Sequence, residues 1–225
     1  MNVPFRAVTF DCFGTLIDWK LGQTRILEQF PSLRGRQDSI PDILAVREPV
    51  EMRLEAGAWR SYASILSDSI AEAVRQVLHL ELTPAEQRAF AAGQLGWPAF
   101  PDTAEALRTL ARHVPVGLLS NCDAQTLRLC AHKHLGAPIS LFVSAEEVQS
   151  YKPAPSHWGA ALAALHCKPS EILHCSFTRA YDLDPAHALG FALGFIGRYR
   201  TPKPADLPFA AEGRDLAALV HALVG

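Results

Sequence analysis

The sequence predicts an α/β fold: a doubly wound, mostly parallel sheet with an inserted helical domain. Two observations support this class. Short apolar runs alternate with segments of helical periodicity over residues 98–225, which is typical of parallel β-α-β units. A stretch after the first apolar run breaks the alternation and carries helical patterns only.

The predicted strands are apolar runs that end at a polar residue or a turn. Residues 7–10 are apolar or β-branched, end at Asp11 and lead to Gly14, which indicates a buried strand followed by a tight loop. The other predicted strands are residues 114–119, 139–143, 172–175 and 191–196.

The predicted helices of the sheet domain lie between these runs. Residues 102–113 place Ala104, Leu107 and Leu110 on one stripe, after the start signals Pro101 and Asp102. Residues 123–133 and 156–166 show a similar pattern. The inserted domain is predicted over 17–97, with helices at 40–56, 62–80 and 84–92, so residues 1–16 and 98–225 form the core.

Composition excludes several classes of function. A net charge of −2 spread over 225 residues gives no basic surface for nucleic acid. No apolar run reaches the length of a membrane span, and the first ten residues lack the features of a secretory signal. Five cysteines, an odd number without a C-x-x-C pair, favour reduced thiols and a cytoplasmic location.

Polar residues collect where the predicted strands end, which is where open α/β sheets bind ligands. They are Asp11, Thr15, Ser120, Asn121, Lys152 and Asp182. Each alone is explained equally well as a turn former, a helix cap or a solvated charge. Together they suit nucleophilic catalysis. A carboxylate can attack a substrate, and a nearby lysine lowers the pKa of that carboxylate and so keeps it ionised.

Four segments resemble the motifs of the haloacid dehalogenase-like (HAD) superfamily. They are Asp11-Cys12-Phe13-Gly14-Thr15, Leu118-Leu119-Ser120-Asn121, Tyr151-Lys152-Pro153 and Tyr181-Asp182. The resemblance implies a Rossmann-like core with a helical cap, whose aromatic residues would help to select the substrate. It also implies that Asp11 is the nucleophile, Thr15 and Ser120 position the substrate, Lys152 neutralises charge and Asp182 is the last acidic group.

Phe13 separates the reactions that this superfamily catalyses. Its phosphatases usually carry a second aspartate two residues after the nucleophile, which protonates the leaving alkoxide. Phenylalanine cannot do this, and loss of a general acid costs about 10²–10⁴-fold in rate. A halide leaves without a proton, so Phe13 favours displacement at carbon, and the surrounding residues resemble the 2-haloacid dehalogenase branch.

Other positions depart from that branch. Trp158 stands where its members tend to have tyrosine, and Phe177 and Arg179 stand where they tend to have serine and asparagine. Either Arg47, in the predicted cap, or Arg179 is expected to bind the carboxylate of the substrate. The candidate substrate contacts are Phe13, Thr15, Arg47, Ser120, Asn121, Trp158, Thr178 and Arg179.

The leading hypothesis is therefore a hydrolase that acts on a small organic acid through an Asp11 ester and needs no obligatory metal. One alternative is a Mg²⁺-dependent phosphatase, with the metal held by Asp11, the Phe13 carbonyl and Asp182. A second alternative is a HAD-like scaffold that binds a ligand without catalysis. The sequence leaves the substrate, its stereochemistry and the oligomeric state open, a homodimer included.

Overall fold

The computed structural model describes residues 3–225, which divide into two compact units. One unit runs to Asp18 and resumes at Ala99, and the other comprises Trp19–Pro98. The predicted insert, 17–97, differs from the second unit by two residues at its start and one at its end. Within the described residues, none of the helices combines the length and apolar character needed to cross a membrane.

The unit Trp19–Pro98 is built from helices. They are α1 (Trp19–Leu27), α2 (Ile40–Glu55), α3 (Tyr62–Leu78) and α4 (Pro84–Ala92). The backbone N–H of Ser64 bonds to the Ser61 side chain at the start of α3, and Thr83 and Glu86 form a capping box on α4.

Helix α1 is absent from the sequence-based prediction because it contains Gly22, which lowers helix propensity. The fold uses that glycine for close packing within this unit. A Cβ at position 22 would lie 2.3 Å from Cδ1 of Trp97, so a larger residue could not approach in this way. Trp97 is itself 1% exposed and therefore packs in the interior of the helical unit.

The other unit contains a six-stranded sheet in which every strand pair is parallel. The strands are β1 (Ala7–Phe10), β2 (Val116–Ser120), β3 (Leu141–Ser144), β4 (Ile172–Ser176), β5 (Ala192–Ile196) and β6 (Phe209–Gly213). Their spatial order is β3-β2-β1-β4-β5-β6, with pairings that run parallel throughout. Helices lie on both sides of the sheet, which confirms the predicted doubly wound class.

The strands at the centre were predictable from the sequence, and the edge strand β6 was not. Every residue of β1, β2 and β4 is buried, as expected where helices cover both faces of a parallel sheet. Strand β6 reads Phe-Ala-Ala-Glu-Gly and alternates half-buried with exposed positions. Its Ala and Gly residues have low strand propensity, so the sequence carries little signal for it.

Within residues 3–225, six α-helices accompany the sheet. They are α5 (Thr103–Leu110), α6 (Ala124–Cys130), α7 (Ala145–Val148), α8 (Ser156–Leu165), α9 (Asp184–Ala188) and α10 (Leu216–Val224). A π-helical turn, Arg179–Leu183, follows β4 and carries Asp182. The neighbouring order β2-β1-β4 places the ends of these three strands side by side, which brings their following loops together.

Candidate active site

Asp11 lies immediately after β1 and is held by both of its oxygens. The Thr15 hydroxyl donates to Oδ2 at 2.7 Å, and the Lys152 ammonium donates to Oδ1 at 2.9 Å. The loop folds back because Gly14 adopts a φ of 103° and the backbone N–H of Leu16 bonds to the Cys12 carbonyl. This tight turn places the Thr15 side chain against the carboxylate that precedes it.

Lys152 bridges two carboxylates. Its Nζ lies 2.9 Å from Asp11 Oδ1, 2.6 Å from Asp182 Oδ1 and 3.0 Å from the Leu119 carbonyl oxygen. An ammonium has three N–H donors, so these acceptors saturate it. Asn121 fixes the Lys152 backbone from the end of β2, accepting from its N–H at 2.7 Å and donating to its carbonyl at 3.0 Å.

Asp182 accepts hydrogen bonds on both oxygens. Ser176 and Thr178 donate to Oδ2 at 2.9 and 2.6 Å, while His174 Nε2 lies 3.3 Å from Oδ1, the oxygen that also meets Lys152. His174 Nδ1 lies 3.0 Å from the Thr9 hydroxyl on the neighbouring strand. Asp11, Lys152 and Asp182 are termed the Asp–Lys–Asp trio below.

His174, Ser176 and Thr9 were not predicted as site residues. A sequence signal was present for two of them, because His174 and Ser176 lie two residues apart in an apolar strand and therefore on one face of it. Thr9 is the register partner of His174 across β1 and β4, which only the strand pairing could reveal.

Burial and charge act differently on the two carboxylates. Burial raises the pKa of Asp11, Lys152 acts in the opposite direction, and Asp182 raises it further, so the pKa of Asp11 lies above its ordinary value. Burial also acts to raise the pKa of Asp182, but Lys152 and His174 outweigh it and hold that pKa below its ordinary value. The lysine thus stays charged, its own pKa raised by the two carboxylates against the opposing effect of burial.

A magnesium ion does not fit this arrangement of donors. The Lys152 ammonium stands between the two carboxylates proposed as ligands, and both oxygens of Asp182 already accept hydrogen bonds. Within residues 3–225, His, Cys, Asp and Glu side chains form no group of three or more arranged for a metal ion.

Four further predicted residues of this unit lie at or after the ends of β1, β2 and β4. Asn121 and Thr178 contact the trio directly, as described above. Ser120 is buried at the end of β2, and its carbonyl lies 3.2 Å from His157 Nε2. Phe13 is half-buried in the loop between Asp11 and Thr15. Their roles toward a substrate remain predictions.

Trp158 is placed differently from the expectation of a substrate contact. The side chain is 0% exposed and belongs to the hydrophobic core together with Leu119 and Ile172. Its ring packs edge-on against His174, with centroids 5.7 Å apart. Trp158 thus supports the strand that carries His174, and its contact with a substrate stays a prediction.

Arg179 also departs from its predicted place. It is exposed, and its Nε lies 3.1 Å from each oxygen of Asp184. Its two terminal nitrogens donate to Asp206 at 2.8 and 2.6 Å. Arg179 and Asp182 are three residues apart, but the π-helical turn directs their side chains to different partners.

Substitution of Arg179 is therefore expected to leave catalysis intact. Arg179→Ala should keep kcat/KM for any substrate of the wild type within about twofold, because it removes surface ion pairs only. Steady-state kinetics beside the wild type measure this. A loss of more than about 10-fold, with an unchanged melting temperature, would return Arg179 to the site.

In the helical unit, Arg47 is a buried cation on α2. It is 1% exposed, and Nη1 lies 3.0 Å from Glu51 and 3.4 Å from the Ser69 hydroxyl. The guanidinium lies 5.6 Å from the Trp19 ring and 5.9 Å from the Phe90 ring. Its Nε makes no hydrogen bond to the described residues.

The doubly wound sheet and the buried trio at its carboxyl edge together define an α/β protein with a carboxylate–lysine site. The chain belongs to the haloacid dehalogenase-like hydrolase family, whose sequence model matches residues 5–176. This confirms the predicted family, and the matched range contains the first three motifs, while Tyr181-Asp182 lies after it.

Individual relatives extend the match across nearly the whole chain. This chain is 27% identical over 220 residues to (S)-2-haloacid dehalogenase 1 of Pseudomonas sp. strain CBS-3, and the alignment covers 96% of this chain and 94% of that protein. It is 28% identical over 203 residues to (S)-2-haloacid dehalogenase 4A of Burkholderia cepacia, covering 88% and 85%. A crystal structure of an L-2-haloacid dehalogenase superposes with a TM-score of 0.76 at 26% identity, covering 97% and 98%.

Proposed function

We propose that this enzyme hydrolyses a small 2-haloacid through a covalent Asp11 ester. The observation that carries the proposal is Phe13, which stands in the loop two residues after Asp11 and cannot donate a proton to a leaving group. Asp182 has a lowered pKa and is ionised, and Lys152 is held charged by two carboxylates. A leaving group that departs without a proton suits this site, and a halide is such a group.

In the first step, an oxygen of Asp11 attacks C2 of the haloacid and the carbon–halogen bond breaks with its electron pair on the halide. Thr15 and Lys152 orient the attacking carboxylate, and Asp182 holds the Lys152 ammonium in place by accepting a hydrogen bond from it. In the second step, water attacks the Asp11 ester carbonyl, and the Lys152 ammonium stabilises the oxyanion that forms. The products are a 2-hydroxyacid, a halide and one proton.

A single turnover in ¹⁸O-labelled water tests this route. With enzyme in excess over substrate, attack at the ester carbonyl leaves one ¹⁸O in the Asp11 carboxyl group, which mass spectrometry of the peptide detects. Attack of water on the substrate carbon would instead place the label in the product alone, and would exclude the ester intermediate.

The substrate class is tested by a matched screen. We infer a preference for the (S)-enantiomer from the names of the two curated relatives. Release of halide from (S)-2-chloropropionate that is insensitive to EDTA supports the proposal. Turnover of p-nitrophenyl phosphate or acetyl phosphate that is abolished by EDTA would favour the phosphatase, and inactivity of every compound would favour a binding scaffold.

We propose Arg47 as the contact for the substrate carboxylate, because it is a buried cation with an unused Nε donor. Arg47→Lys should raise KM by roughly 10-fold with a smaller effect on kcat, since the fork geometry of arginine is lost. Arg53→Lys, on the same helix and exposed, is the matched control. Equal KM values for both variants would argue against Arg47.

We infer a cytoplasmic location because all five cysteines are free thiols, which suits a reducing compartment. Cell fractionation with an antibody tests this inference. The oligomeric state is a separate measurement, by light scattering of the purified protein, and decides whether the chain forms a homodimer.

A further inference from the structure

Arg198 follows β5 and reaches the loop that carries the nucleophile. The residue is 7% exposed, and its Nε donates to the Thr15 carbonyl oxygen at 3.0 Å. Its two terminal nitrogens donate to the two oxygens of Asp102, each at 3.0 Å, and its guanidinium lies 4.0 Å from the Phe100 ring. All three nitrogens of the guanidinium therefore have a fixed direction.

Asp102 is fixed in turn by the backbone. The N–H of Leu216, the first residue of α10, donates to Asp102 Oδ2 at 2.7 Å. Burial acts to raise the pKa of Asp102, but Arg198 outweighs it and the pKa lies below its ordinary value. The Arg198–Asp102 ion pair is therefore charged and fixed in orientation, and it connects helix α10 to the peptide of Thr15.

Thr15 connects this ion pair to Asp11. Its side chain is fully buried, and its hydroxyl donates to Asp11 Oδ2 at 2.7 Å. The next residue, Leu16, is held separately by the Thr103 hydroxyl, which donates to its carbonyl at 2.9 Å. Arg198 thus bonds the Thr15 carbonyl, and Thr103 bonds the carbonyl of the next residue.

We propose that Arg198, oriented by Asp102, is a positioning residue for Asp11 that acts through Thr15. It fixes the peptide of Thr15, so that the hydroxyl holds Asp11 Oδ2 in one orientation while Lys152 holds Oδ1. This inference rests on the proposed role of Asp11 as nucleophile. The coupling from Arg198 through Thr15 to Asp11 can be measured without any substrate.

A double-mutant cycle tests the coupling. Arg198→Lys keeps a positive charge but cannot bond both Asp102 and Thr15 in the same way, and is expected to lower kcat roughly 10-fold with KM changed less than about twofold. Thr15→Val removes the hydroxyl at constant shape. In the Thr15→Val background, Arg198→Lys should cost less than about twofold, because the group through which it acts is already absent.

A second readout needs no turnover. The ¹³C NMR signal of the Asp11 carboxyl carbon, assigned by its loss in Asp11→Asn, should shift in Arg198→Lys and in Thr15→Val, with no further shift when the two are combined. Arg214→Lys, an arginine whose side chain is 90% exposed, is the matched control and should move neither readout. Asp102→Asn provides a second route, since it should reproduce the effects of Arg198→Lys.

The outcomes separate the two proposals. Equal losses of kcat from Arg198→Lys in both backgrounds, or additive shifts of the carboxyl signal, would overturn the positioning role. A wild type that converts no 2-haloacid would overturn the proposed function. In that case the NMR cycle still decides whether Arg198 positions Asp11.

Discussion

Asp11→Asn is expected to abolish turnover while the protein becomes more stable. Loss of an essential nucleophile lowers kcat by about 10⁴–10⁶-fold. The amide can still accept from Lys152 and face the Thr15 hydroxyl, so the fold should persist. Because the pKa of Asp11 is raised in the folded state, its ionised form opposes folding above that pKa, and the substitution removes this cost.

The measurements are initial rates of halide release and thermal unfolding at pH 7, beside the wild type. Asp206→Asn is the matched control, since Asp206 is an exposed carboxylate and should leave the rates unchanged. Residual activity above about 10% of wild type would contradict a nucleophilic role for Asp11. A lowered melting temperature in Asp11→Asn would contradict the direction of its pKa shift.

Lys152→Met is expected to impair both stability and catalysis. The substitution leaves Asp11 and Asp182 buried without their shared cation, and breaking a buried ion pair in this way costs about 3–5 kcal/mol. The pKa of Asp11 should rise further, so less of it is ionised at neutral pH. Together with the lost stabilisation of the ester oxyanion, this should reduce kcat by about 10²–10³-fold.

The pH dependence follows from the directions of the pKa shifts. Without Lys152, the pKa values of both carboxyls should rise relative to the wild type, so the added cost of burying them ionised is present near neutral pH and disappears as pH falls and they are protonated. In the wild type, the raised pKa of Lys152 contributes stability that is fully present below about pH 10.4 and is lost as pH rises. The stability gap between variant and wild type should therefore be widest near neutral pH and narrow toward both extremes.

Denaturant unfolding from pH 4 to pH 11 measures this gap. Lys168→Met, at an exposed lysine on the same unit, is the control for loss of a lysine and should show no comparable dependence. A gap that stays constant across the range would mean that Lys152 contributes packing and not charge.

The fold class and the strands next to the site could be predicted from the sequence. Strand β1 is buried on both faces, and strands of this kind have a continuous run of apolar and β-branched residues. Such a run can be recognised in the sequence. Helix α1 and strand β6 carry no such pattern. Helix α1 depends on the contact of Gly22 with Trp97, which is a tertiary condition.

The sequence also indicated which polar side chains should converge, because parallel strands deliver their carboxyl ends to one edge of a sheet. The structure brings Asp11, Thr15, Lys152 and Asp182 into hydrogen-bond contact, and their catalytic roles are proposals. Arg179 shows the limit of this reasoning. It lies three residues before Asp182, but its charge is paired with other carboxylates at the surface.

By itself, the sequence determined the doubly wound class, the family, and the order of the polar groups along the chain. These follow from local periodicity and from motifs that are contiguous in the chain. Which partner each charge meets depends on how distant parts of the chain pack together. The contacts of His174 with Thr9 and of Arg198 with Thr15 join residues 165 and 183 positions apart, so packing alone creates them.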